Sequence, residues 1–260
     1  MQYMKKGKIH TSSSIVLLLG LLLFVSCDSA SRSSYNTQDE EYLSYDSTGY
    51  LRKYFDTDFN VVHYKSKAVY YRDAYYIDGK IVKDSIARDY YISGEKQFEG
   101  YFISDSPEIL IGQGTRYYKN GQIESIKIAD KAGKIQGECI DYYENGNKKS
   151  VYYCKDDKIN GKYTRYYPNG KIEFVYHYKN NERNGLSTEY YENGQASCTY
   201  SHLKGKQHGS VKEYYENGKL KSTANCVYDS YEGIIRLYYE SGKIKEIRTY
   251  KNNDCNGEYK

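Results

Sequence analysis

Tryptophan is absent from the 260 residues, phenylalanine occurs six times, and proline only twice, at Pro107 and Pro168. A core filled by large dry rings is therefore excluded. The apolar surface rests instead on tyrosine, at 36 copies, and each of these rings carries a hydroxyl. So little proline rules out a proline-rich extended tract, and 22 glycines set at intervals indicate many turns between many strands. Neither sign of charge dominates. Lys and Arg number 38 against 34 Asp and Glu, and removal of Lys5, Lys6 and Lys8 with a leader gives (38 − 3) − 34 = +1. That balance lacks the clustered basic face that phosphate backbones require, which excludes nucleic acid as a partner.

Long hydrophobic runs are also missing. The longest, Ile15 to Val25, has 11 residues. As a helix it would reach about 16 Å, half of a ~30 Å hydrocarbon core, too short for a permanent span. With a lysine-bearing start and a Ser26-Cys27 end, residues 1–26 have the three-part form of a secretory signal. Phe24-Val25-Ser26-Cys27 resembles a bacterial lipoprotein lipobox, although leucine is commoner where Phe24 stands. The resemblance implies export to the bacterial cell envelope and a membrane anchor through lipid on Cys27. Residues 27–48, polar and serine-rich, read as a flexible tether.

No nucleophile motif, Gly-rich phosphate loop or metal-ligand spacing occurs. Cys139, Cys154, Cys198, Cys226 and Cys255 are odd in number and lack C-x-x-C spacing, so they read as small apolar fillers rather than a disulfide or zinc framework. His177, His202 and His208 have no recurring carboxylate partner, and Glu144, Glu192, Glu216 and Glu240 stand singly in turns. The expectation is a chain without catalysis, metal or cofactor.

What is present is a repeat. Tyr-Tyr recurs at 117, 142, 166, 190, 214 and 238, spaced by 25 and then by 24 residues. A glycine lies five residues before each pair (Gly112, Gly137, Gly161, Gly185, Gly209, Gly233). Another follows three residues after the second tyrosine (Gly121, Gly146, Gly170, Gly194, Gly218, Gly242). Each unit reads as a β-hairpin closed by a three-residue loop such as Glu144-Asn145-Gly146. In an unbroken register this loop sets Arg116 against Glu124, Asp141 against Lys149, Arg165 against Glu173 and Glu213 against Lys221. The first tyrosines then face Ile123, Lys148, Ile172, Ala196, Leu220 and Ile244, which predicts that their face is the buried one. The second tyrosines, Tyr118, Tyr143, Tyr167, Tyr191, Tyr215 and Tyr239, would form an aromatic ladder on a polar face and are the candidate binding residues.

Tyr214 to Lys219, with near copies at Tyr142 and Tyr190, resembles the Tyr-Tyr-Glu-Asn-Gly-Lys core of the bacterial variant of the MORN repeat. The resemblance implies an all-β fold, an elongated antiparallel meander of tandem hairpins about 60 Å long by strand spacing. Residues 112–260 would hold six repeats and a partial seventh, and 49–111 an N-terminal cap. Tyr75-Tyr76-Ile77-Asp78-Gly79-Lys80 and Tyr90-Tyr91-Ile92-Ser93-Gly94 look like degenerate copies within that cap. The family is often described as an antitoxin component of toxin–antitoxin systems. Export conflicts with a cytosolic antitoxin but not with an immunity protein acting in the envelope. The leading expectation is a binding or scaffold lipoprotein for a protein or glycan partner. Because Gly257-Glu258-Tyr259-Lys260 opens a further unit, edge-strand self-association is a third expectation.

Overall fold

The computed structural model describes residues 48–58, 60–83, 85–105 and 108–255. The leader, Cys27, most of the tether and the partial seventh unit lie outside them. The rest is all-β: 22 strands, from Gly49–Phe55 to Asp254–Cys255, form one antiparallel sheet, interrupted by a single 3-10 turn at Lys65–Lys67.

Each Tyr-Tyr pair opens the expected three-residue loop. The second tyrosine's N–H donates to the carbonyl four residues on (Tyr118 to Gln122, Tyr167 to Lys171, Tyr191 to Gln195), and the loop glycine's N–H donates back to that tyrosine's carbonyl. Gly194 there has φ +93°, a conformation that costs glycine little. The first tyrosines pair with Ile123, Lys148, Ile172, Ala196, Leu220 and Ile244 as expected.

One step further the register departs from expectation. Arg116 faces Ser125, Asp141 faces Ser150, Arg165 faces Phe174 and Glu213 faces Ser222. A β-bulge leaves Glu124, Lys149, Glu173 and Lys221 unopposed, because the tight loop's extra residue must be absorbed before the strands can pair with their native twist. The charges therefore meet diagonally, as Arg165 Nε to Glu173 Oε2 at 2.8 Å and Lys221 Nζ to Glu213 Oε2 at 3.9 Å.

The bulge also reverses which face is buried. An inserted residue shifts the return strand's alternation by one, so Phe174, Tyr176, Cys198 and Tyr200 fall on the face of Arg165 and Glu189. That inner face holds the buried cluster Tyr176, Tyr200, Val211 and Cys226, with Phe174, Tyr178, Cys198 and Ala224 against it. The first tyrosines lie half-buried on the outer face, where Ile244 is 53% exposed. The predicted burial of the first-tyrosine face is thus corrected.

Between repeats the chain turns in two residues, Asp156-Asp157, Asn180-Asn181, Lys204-Gly205, Tyr228-Asp229 and Asn252-Asn253, each pair at positive φ as a type I′ turn needs. The sequence reading did not assign these turns. Asn181 Oδ1 accepts from the N–H of Ile159 at 2.6 Å while its own N–H donates to the Ile159 carbonyl at 2.9 Å. Asp157 with Ile135, Asp229 with Gln207, and Asn253 with Tyr231 repeat this reciprocal clasp. The first such connection is longer: Asp130 and Lys134 flank Lys131-Ala132-Gly133, which accounts for the initial 25-residue spacing.

Upstream, Tyr91 and Glu95 close a three-residue loop like those of the repeats. The Tyr75 stretch does not: Ile77 pairs with Lys80 across Asp78-Gly79, both at positive φ, so it is a two-residue turn of the other kind. The long hairpin formed by Lys96–Asp105 and Glu108–Tyr117 bends at two irregularities, and its tip reaches the inner face. There Arg72, 1% exposed, donates through Nε and Nη2 to Asp89 at 2.6 and 2.7 Å, and also through Nη2 to Glu108. Ala74, Tyr76, Ile81, Ala87, Phe98 and Phe102 form the core beside it.

Candidate binding surfaces

Five of the six tyrosines singled out by sequence are held by the next repeat. Tyr118, Tyr143, Tyr167, Tyr191 and Tyr215 each donate a hydroxyl hydrogen bond of 2.7 Å to the carbonyl of the first tyrosine in the next repeat: Tyr142, Tyr166, Tyr190, Tyr214 and Tyr238. Burial holds the Tyr118 and Tyr167 hydroxyls above the usual phenol range, which keeps them donors. Tyr239 is 52% exposed and has no such bond among the described residues. Asn120, Asn145 and Asn193 add side-chain bonds from loop to loop, to the carbonyls of Glu144, Pro168 and Glu216.

Ring stacking occurs elsewhere, on the inner face. Tyr152, Tyr163, Phe174 and Tyr176 follow one another with centroids 5.3, 5.8 and 4.1 Å apart, and Tyr176 then lies 6.4 Å from Tyr200. The last two hydroxyls of that file, on Tyr176 and Tyr200, donate to Glu189 Oε1 at 2.6 and 2.5 Å, and Arg183 sits 4.1 Å over the Tyr176 ring. Sequence reasoning missed this file. Its period-two spacing, Phe174, Tyr176 and Tyr178, was visible but could not be joined across strands without the bulge.

The outer face is more regular. A register file runs through Ile126, Ile140, Val151, Thr164, Val175, Thr188 and Thr199, branched side chains that suit a pleated surface. Toward the connections between repeats the same face carries Ile128, Tyr153, Leu186, Leu203, Val227 and Ile234, each between 37% and 55% exposed.

The described cysteines are free thiols. Burial pushes Cys139 up to about 12 and Cys198 up to about 11, which suits them to packing rather than nucleophilic chemistry. Among the described residues no group of three His, Cys, Asp or Glu could hold a metal ion.

The MORN repeat variant family matches residues 135–155, 159–180, 183–195, 207–225 and 231–252. The Gly112 unit falls outside these stretches. No curated protein matches the chain. Among solved structures, a porin-like protein from Bacteroides uniformis ATCC 8492 aligns over 80% of this chain and 92% of that one, at 11% identity. Its TM-score of 0.16 is too low to carry an argument. The MORN repeat is a non-enzymatic repeat module that suggests binding. Five in-phase matches along one continuous sheet make residues 135–252 similar to an array of variant MORN repeats.

Proposed function

We propose that this chain is a non-enzymatic, lipid-anchored protein of the bacterial cell envelope whose outer sheet face binds a partner protein. The observation that carries the reading is the exposed apolar row Ile128, Tyr153, Leu186, Leu203, Val227 and Ile234, on a face whose centre is a regular file of branched residues. Apolar side chains left in water along an extended sheet suit the apolar strip of another protein. Only one of the six is aromatic, which makes a stacked glycan the weaker fit. Anchoring follows from the signal-like leader and Cys27.

The surface is tested by placing a photo-crosslinking residue at Leu186 in the full chain in intact cells, alone and combined with Leu203→Ser and Ile234→Ser. The reading expects one discrete protein adduct that disappears in the combined variant while circular dichroism stays unchanged. An adduct that survives both serines would sink it. Radiolabelled palmitate should enter the chain and be blocked by Cys27→Ser. An immunity role would appear as growth protection against the cross-linked protein.

A further inference from the structure

Where the bent hairpin meets the first repeat, the inner face holds a cleft of about 260 Å³ that belongs to none of the surfaces above. Phe98 and Phe102, 5.3 Å apart and tilted, supply aromatic walls, with Leu110 and Ile135 completing the apolar part. Gly114 leaves the space open: a Cβ there would come within 2.8 Å of Leu110 and 2.9 Å of the Phe98 ring.

The polar lining is unbalanced. Its carboxylates, Asp89 and Glu108, share one guanidinium: both oxygens of Asp89 and Oε1 of Glu108 accept from Arg72, which leaves one negative charge over. Its cations, Arg116 and Lys127, have no ion-pair partner among the described residues. Arg72, Arg116 and Lys127 thus stand against two carboxylates, and the one surplus positive charge favours an anionic acceptor.

We propose that the cleft is a binding site for a small carboxylate with an apolar body, its anion between Arg116 and Lys127 and its body against Phe98 and Phe102. A carboxylate matches the planar fork of an arginine, and two convergent cations beside aromatic walls select an amphiphilic acid over a neutral molecule of the same shape. The carboxylate belongs either to a free acid or to the C-terminus of a peptide.

Saturation-transfer NMR on the full chain tests this with three probes: phenylacetate, the neutral isostere phenylacetamide, and acetyl-Ala-Leu as a peptide end. The expected result is binding of phenylacetate, of the peptide or of both, which also identifies the source, with phenylacetamide excluded. Arg116→Gln and Lys127→Gln should each weaken the bound acid by about tenfold, the loss of one charge-assisted hydrogen bond. Gly114→Ala should abolish binding by filling the cleft. Equal binding of phenylacetamide, no binding of either acid at millimolar concentration, or unchanged affinity in a Lys127→Gln protein with wild-type melting would each overturn the proposal.

Discussion

At the scale of the residue, the second tyrosine of five pairs, all but Tyr239, acts as a cross-tie. Its ring is half-buried on its own hairpin while its hydroxyl reaches the backbone of the next, as Tyr167 does to Tyr190. A neutral hydrogen bond of this kind contributes on the order of 0.5–1.5 kcal/mol. Tyr167→Phe and Tyr191→Phe should therefore each lower stability in urea denaturation by about that amount, whereas Tyr239→Phe should be close to neutral, because Tyr239 is exposed and untied. Equal losses at all three sites would show that the ties carry nothing. The identity and spacing of these tyrosines were legible in the sequence. Their bonding was not, since a hydroxyl's partner 23 residues away depends on how successive hairpins stack.

At the scale of the element, each repeat is fastened at both edges by different devices. Loop asparagines and tyrosine hydroxyls link one edge, and the reciprocal Asx clasps link the other. Asn181 has φ +70°, and it also caps the N–H of Ile159. Asn181→Ala would lose the cap and place a non-glycine residue without a polar side chain in the left-handed region, costing about 1–3 kcal/mol. Asn181→Gly should recover part of that loss by relieving backbone strain without restoring the bond. Amide hydrogen exchange at Ile159 should accelerate in both variants, and unchanged protection there would count against the clasp. The Tyr-Tyr hairpins were readable because glycine and asparagine mark them at fixed offsets. The two-residue turns that carry the clasps escaped because their residues vary, Asp-Asp, Asn-Asn and Tyr-Asp, with a Lys-Gly turn that has no clasp, and only the backbone conformation is shared.

At the scale of the whole molecule, the inner face stores thiols and phenols in their neutral forms. Burial pushes Cys139 and Tyr200 up to about 12 and Cys198 up to about 11, and it raises Tyr152 and Tyr176 above the usual phenol range. The unfolded chain releases these protons first, from near pH 9 for a thiol and near pH 10 for a phenol. Stability is then fully present below those values and is lost as pH rises toward the folded ones. The melting temperature should hold steady from about pH 7 to 8 and fall progressively above pH 9, as circular dichroism would show. A melting temperature that holds through pH 11 would mean that these groups are not buried as described. Because repeats touch mainly their neighbours, the loss should spread along the array rather than remain local.

The sequence by itself determined the all-β class, the six hairpins, the loop length and the pairing of each first tyrosine, because turn residues at fixed spacing act through the local backbone. Only the tertiary structure decided which face is buried. One bulge residue per hairpin inverts the alternation of every return strand, and no composition or period records it. The same holds for the cleft at the bent hairpin: strand pairing sets Phe98 opposite Arg116, but Phe102, Leu110 and Glu108 join them and Lys127 only because the hairpin bends over the inner face.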